Sequence, residues 1–437
     1  MPDSNPLRDF AIDVVRQLTE AGFIAMWAGG CVRDFMRGRV PKDYDVATNA
    51  TPQEVRKVFG RRKTLAVGES FGVIIVLGPN KATGQVEVAT FRSEGEYTDG
   101  RRPDSVVFCT PEEDAARRDF TINGMFFDPL TETLHDFVGG EQDLGEGIVR
   151  AIGNPHDRMT EDKLRMLRAV RFAATMDFRL DDETAAAVKR MADEIRVVSW
   201  ERITQELKRM LVDDHRERAM RLCHELALLE IILPELAPVL GEPSTINPQP
   251  STNWWHTLHV LGNLERPSFE LAMAALLLSV PSPQSQSKRQ HQQQGTVRAV
   301  CRRLKLSNDE TERITWLVTH LHNFDEAPSL TLSQLKRLLV HDFATDLLTL
   351  ARRLALAEQR DASGLDFAVE YLADTPREVL DPPELLSGSD LQEMGLQPGP
   401  EFKQILTTVR DFQLNEQISS REEAVELVER VIGGETA

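Results

Sequence analysis

The chain has 437 residues, enough for two or three domains and at least one sizeable core. With 41% hydrophobic and 27% charged residues it reads as a soluble globular protein, and no stretch reaches the apolar length of a membrane span. A count of 51 basic against 69 acidic residues gives a net charge of −18, which argues against a nucleic-acid protein unless a basic groove sits on an acidic body. The opening residues, Met1 to Pro6, are too polar for a signal peptide. The four cysteines, at 31, 109, 223 and 301, stand far apart without a CxxC. Neither a zinc module nor a disulfide framework is expected, and the reading is a cytoplasmic protein in a reducing compartment.

Apolar residues at 7, 10, 11, 14, 15 and 18 predict a helix over Leu7–Leu18, stopped by Gly22. Short strand-like runs follow at Phe23–Ala28, Asp43–Ala47, Gly72–Gly78 and Val86–Phe91, with helical patterns between some of them. The first 150 residues therefore read as a small mixed sheet with helices. From Glu161 onward the pattern is almost all helical. The glutamine-rich stretch 281–296 reads as a polar surface loop, and Asp381–Pro383 sets off a C-terminal piece. The fold class expected is α+β, and the divisions are 1–150, 151–215, 216–380 and 381–437.

Three features of the first 150 residues carry chemistry. Asp43-Tyr44-Asp45 leads into a β-compatible run, and at i and i+2 of a strand both carboxylates project to one side. Two ionised carboxylates that close repel unless a cation sits between them; Mg²⁺ with a nucleoside triphosphate is the natural occupant. Solvated loop charges give the same pattern. Upstream, Gly29-Gly30-Cys31-Val32-Arg33-Asp34 spans a predicted strand end and helix start. There, paired glycines permit close backbone approach, helix N–H groups face a phosphate, and Arg33 adds a charge-assisted bond. An ordinary tight turn fits the glycines equally. Glu87, between apolar neighbours on a predicted strand, either points at the same metal or lies on an exposed strand face.

Further on, Asp162, Arg165, Arg168 and Arg171 recur at helical spacing. Between 150 and 172 there are six basic residues (Arg150, Arg158, Lys163, Arg165, Arg168 and Arg171) against three acidic, a positive stripe in an acidic chain. Leu164, Leu167 and Phe172 supply part of the buried face. A solvated charged helix is the bland alternative.

Taken in order, Gly29-Gly30-x-Val-Arg-Asp, Asp43-x-Asp45, Arg117-Arg118-Asp119-Phe-Thr-Ile-Asn-Gly124 and Glu161-Asp162-x-x-Arg165-Met-Leu-Arg168-Ala-Val-Arg171-Phe resemble the motifs of class II tRNA nucleotidyltransferases. This family holds the CCA-adding enzymes and the bacterial poly(A) polymerases. The resemblance implies a polymerase β-type catalytic head (1–150), a helical neck (151–215), a helical body (216–380) and a tail (381–437) that supports the tRNA elbow. It implies Mg²⁺ held by Asp43 and Asp45, with Glu87 as a third catalytic carboxylate. It also implies nucleotide contacts from Gly29, Gly30, Arg33, Arg118, Asp119, Arg168 and Arg171, with tRNA, CTP and ATP as partners.

In the family, Asp162 and Arg165 match the positions that read the base. Cytosine and adenine present an amine donor beside a ring-nitrogen acceptor, which suits an acceptor-only carboxylate next to a donor-only guanidinium. Guanine and uracil present the reverse, and the mismatch costs several kcal/mol, roughly 10³-fold in selectivity. The stretch Ser93–Phe108 resembles the flexible loop of members that add the terminal A, or is a plain hairpin connection. Complete CCA addition is the expected activity, with A-only addition and poly(A) synthesis as rivals. A rival of another class is a metal phosphohydrolase: Trp254-Trp-His-Thr-Leu-His259 resembles the start of an HD domain. Leu278-Ser279 stands where its metal-binding His-Asp belongs, which predicts no hydrolase activity. His320 and His322 are expected to be structural.

Overall fold

The computed structural model describes residues 5–68, 72–94, 106–240, 252–278, 280, 286–325 and 327–432. The chain forms two compact units, one of the described residues up to Ala237, the other of Pro238–Leu240 and the described residues from 252 onward. The expected four-part division is finer than this split.

The first unit is organised by helices α1 (Pro6–Glu20), α2 (Gly30–Met36) and α3 (Pro52–Phe59). Its strands are β1 (Ala25–Ala28), β2 (Asp45–Thr48), β3 (Thr64–Gly68), β4 (Val73–Leu77), β5 (Gln85–Thr90), β6 (Arg92–Glu94), β7 (Val106–Phe108), β8 (Phe126–Asp128) and β9 (Thr133–His135). Seven strands make one mixed sheet in the order β3-β4-β5-β2-β1-β8-β9, in which β2 and β5 run parallel. β6 and β7 pair separately; the loop between them, expected to be the flexible element, lies from 95 to 105 outside the described residues.

Local chemistry sets these elements. Asn5 caps α1 by accepting from the Arg8 N–H, Pro6 opens the helix, and Ala11, Val14, Val15 and Leu18 form its buried stripe. Thr51 and Glu54 close a reciprocal capping box on α3. The stripe of α1 packs with Val46, Val86, Val88, Ile74 and Val76 on one face of the sheet. A smaller cluster of Ala28, Ala47, Phe91, Ala115 and Phe126 covers part of the other face. Trp27 is fully buried among Tyr44, Phe35 and Phe127, with ring centroids 4.7, 5.8 and 5.8 Å away. The expected strand at Asp43 begins only at Asp45, because Tyr44 turns into this aromatic cluster and leaves Asp43 ahead of the ladder.

The second unit is helical, from Thr252–Gly262 to Arg421–Ile432. The expectation of a surface loop over 281–296 is corrected where the residues are described: Gln286–Arg303 form one helix, and 281–285 lie outside the described residues. Gln, Lys and Arg lose little rotamer freedom in a helix and nothing in 286–294 breaks one. The residues resembling an HD-domain start lie on the Thr252–Gly262 helix. His320 stacks on Trp316 at 4.7 Å and its ring nitrogen lies 2.8 Å from the Trp316 carbonyl; His341 stacks on the same indole at 4.0 Å. All four cysteines are free.

Because Trp27 supports the turn that carries Asp43 and Asp45, Trp27→Ala is expected to cost about 3–5 kcal/mol, read as a lowered urea midpoint for the first unit's transition.

Candidate active site

A cleft of about 600 Å³ opens in the first unit where the ends of β1 and β2 meet α2 and the helix Arg165–Thr175. Gly29 joins β1 to α2 with φ +72°, and a Cβ there would lie 3.0 Å from an Arg118 guanidinium nitrogen, so both conformation and space call for glycine. Gly30 opens α2, and Arg33 one turn later reaches Asn123 Oδ1 at 2.6 Å and Asp34 at 3.0 Å. Asp43 and Asp45 line the same cleft.

The expected continuous helix from Glu161 to Ala174 is broken. One helix ends at Glu161, Asp162 is extended with φ −143° and ψ 106°, and the next helix starts at Arg165. Asp162 and Arg165 therefore reach the cleft by flanking a helix junction rather than by sharing a helical face. The junction fixes both groups. Asp162 accepts from the Leu164 N–H (3.0 Å) and from Arg202 (2.6 Å). Arg165 donates to Glu161 (2.5 Å) and to the carbonyls of Arg158 (3.0 Å) and Arg117 (3.1 Å). Those three bonds occupy both protons of one terminal nitrogen and one proton of the other, leaving Nε–H and one further N–H to donate. Each Asp162 oxygen keeps a lone pair.

The remaining arginines are tied to carboxylates, in two cases as pairs on one acid. Asp114, buried, takes Arg117 (2.7 and 2.9 Å) and Arg118 (2.9 and 3.0 Å). Asp119 receives Arg168 through two bonds (2.5 and 2.9 Å), with Asn123 and the Phe120 N–H on its other oxygen. Arg171 is paired with buried Glu206, which also takes Arg209 at 3.3 Å. Phe172 lies beneath three of these guanidiniums, those of Arg171 (4.0 Å), Arg33 (5.2 Å) and Arg168 (5.4 Å), favourable cation–π placements.

Electrostatics divide the carboxylates into two kinds. Burial would raise Asp119, but the Arg168 charge and the bonds from Asn123, Arg168 and Phe120 hold it down at about 2. Asp114 is likewise held low by Arg118 and Arg117 against its burial. Asp45 is the opposite: burial, then the charges of Asp43 and Glu87, push it up to about 6. Among the described residues neither Asp43 nor Asp45 has an ion pair. Glu87 sits beside Asp45 in strict register on β5, exposed, but does not line the cleft.

Every expected site residue except Glu87 thus lines one cleft. Sequence reasoning passed over Asp114, Arg202, Glu206 and Arg209, and read Phe172 only as core. Glu206 carried a signal: it falls among Ile203, Leu207 and Met210 on the buried face of its helix, where a carboxylate needs a buried cation.

Residues 25–150 match the family model described as "Poly A polymerase head domain", residues 177–240 match "Probable RNA and SrmB- binding site of polymerase A", and residues 289–428 match tRNA nucleotidyltransferase domain 2. The chain is 31% identical over 422 residues to the CCA-adding enzyme of Lactococcus lactis subsp. cremoris, covering 94% of this chain and 93% of that one. It is 39% identical over 244 residues to poly(A) polymerase I of Salmonella typhi, 53% of this chain and 51% of that one. In several such matches the chain spans about half the length of the curated relatives. The crystal structure of the Bacillus stearothermophilus CCA-adding enzyme in complex with CTP superposes with a TM-score of 0.70, at 26% identity over 99% of both chains. This chain belongs to the class II tRNA nucleotidyltransferase family.

Asp119 is ordinary in the unfolded chain, near 3.9, and about 2 when folded, so its ionised form stabilises the fold above about pH 4 and that contribution is lost as pH falls through 2. Asp119→Asn is expected to lower the unfolding free energy by about 3 kcal/mol at pH 7, because Arg168 loses its partner. Unfolding curves of variant and wild type should converge as the pH approaches 2.

Proposed function

We propose that this protein completes tRNA 3′ ends by adding C, C and A from CTP and ATP without a nucleic-acid template. The observation that carries the reading is the fixed Asp162–Arg165 pair in the cleft that also holds two unpaired carboxylates. Similarity to a CCA-adding enzyme along nearly the whole chain favours this activity over poly(A) synthesis, where the match covers about half. A-only addition stands as the nearest rival.

The donor set suits Mg²⁺. Asp43 and Asp45 are hard oxygen ligands, Asp45 is pushed up to about 6 by burial and like charge against the partial offset of Arg118, and among the described residues neither carboxylate has an ion pair. When bound, the cation would lower the pKa of the attacking hydroxyl and offset charge on the triphosphate. The residues of the chain do the rest. Gly30 and the start of α2 present backbone N–H groups to a phosphate, the Gly29 N–H being donated to the Met125 carbonyl. Arg33, Arg118, Arg168 and Arg171 bind the triphosphate as oriented donors, each kept in place by its acceptor. Asp119 acts through Arg168. Asp162 takes the exocyclic amine of cytosine or adenine, and Arg165 donates to the ring nitrogen beside it. The tRNA 3′-oxygen then attacks the α-phosphorus, the bond to the β-phosphate oxygen breaks, and pyrophosphate leaves. The reading places the enzyme in the cytoplasm, where its four thiols stay reduced.

With tRNAs ending before C74, C75 or A76 and single nucleotides, sequenced products should show CTP and ATP incorporation that stops at A76; a long A tail would install the poly(A) reading instead. Asp43→Ala should abolish incorporation and keep tRNA binding. Arg202→Ala, which releases one side of Asp162, is expected to cut the CTP-over-UTP ratio of kcat/KM about tenfold.

A further inference from the structure

Among the described residues, the charges that line the cleft are paired except at Asp43 and Asp45. Away from it, the short turn Arg61-Arg62-Lys63 ahead of β3 has three exposed cations that, among the described residues, have no ion pair. With Arg56 and Lys57 it puts five cations between positions 55 and 68, with no acidic residue among them, in a chain of net charge −18.

Sheet register links the two places. Asp45 lies opposite Glu87, Glu87 opposite Ile75, and Ile75 opposite Leu65. Directly opposed residues project to one face, so this row runs across β2, β5, β4 and β3 from the cleft aspartate to the strand that the basic turn opens. The alternate positions Val46, Val88, Val86, Ile74 and Val76 fill the core beneath. The row itself is open: Glu87 is exposed, Ile75 half-buried and Leu65 43% exposed. Three strand spacings separate Asp45 from Leu65, about 14 Å, the span of a few nucleotides of single strand.

We infer that this face is a track for the single-stranded 3′ end of the RNA acceptor, with its terminal hydroxyl at Asp43 and Asp45 and its upstream phosphates on Arg61, Arg62 and Lys63. The inference rests on the proposed transfer to an RNA 3′-hydroxyl. Its occupant follows from charge complementarity and from continuity with the cleft: a polyanion must end at the aspartates, and the turn that opens the strand at the far end of the row carries three exposed cations. Bases would rest on the aliphatic surface of Ile75 and Leu65 through non-directional apolar contact, which carries no sequence preference.

The test is equilibrium binding of a tRNA transcript ending at C75, with no nucleotide present, measured by anisotropy from 50 to 200 mM KCl, for wild type, the R61A/R62A/K63A variant and R61K/R62K. The alanine variant should bind about 10- to 100-fold more weakly near 100 mM salt. Its slope of log affinity against log salt should flatten by about 2, at roughly 0.7 per lost phosphate contact. R61K/R62K should retain the wild-type slope, and ATP binding without tRNA should be the same in all three. Equal affinity and slope in wild type and the alanine variant would overturn the track. Because binding is read without turnover, a wild type that binds tRNA but adds no nucleotide would instead sink the functional proposal.

Discussion

The pairing of carboxylate with guanidinium in a half-buried cleft is the interaction on which the rest of this site depends. A guanidinium taken from water is costly unless a carboxylate meets it, and four carboxylates, Asp114, Asp119, Glu161 and Glu206, meet the six guanidiniums of Arg117, Arg118, Arg168, Arg165, Arg171 and Arg209. Pairing also orients. A guanidinium fixed on one edge offers its remaining N–H groups in a set direction, which is what selective bonding to a phosphate or a base edge requires. Within this neutralised surround, Asp43 and Asp45 are the carboxylates left over, and the rise of Asp45 to about 6 expresses the same imbalance.

Three structural devices bring these groups together. A glycine in positive φ lets the chain turn from β1 into α2 against Arg118. The Trp27–Tyr44 contact draws the residue between the two aspartates into the core, so that both carboxylates stay outside it. The break between the helices ending at Glu161 and beginning at Arg165 turns a simple periodic row into a junction with Asp162 extended and held from outside by Arg202. On the proposed reading, specificity for a nucleobase resides in backbone geometry as much as in residue type, since an i, i+3 pair on a continuous helix would present parallel side chains rather than an acceptor and donor set side by side.

An acidic protein with the proposed activity on RNA has to confine its positive potential. Here the cleft arginines are locally neutralised, and long-range attraction falls to cations that stand free of partners. The open row of the sheet and the basic turn at its far end meet that need, while the overall negative charge limits indiscriminate binding elsewhere.

Residue chemistry and spacing were enough to locate the mixed sheet, the Gly29-Gly30 turn, the Asp43/Asp45 pair and the arginine row, because these depend on neighbours within a few positions. Sequence also identified the family, since four motifs in fixed order are jointly specific. Tertiary structure decided what depends on partners far along the chain: Arg202 on Asp162, Glu206 on Arg171, Asn123 on Arg33, the exclusion of Glu87 from the cleft lining, and the register that aligns Leu65 with Asp45. Local pattern carries no information about which remote group will neutralise a buried charge or which strands will lie side by side. The helix at Gln286–Arg303 is a reminder of the converse: a polar, low-complexity composition fails to predict order when most of its residues are competent helix formers and the helix is long enough to carry Gly295.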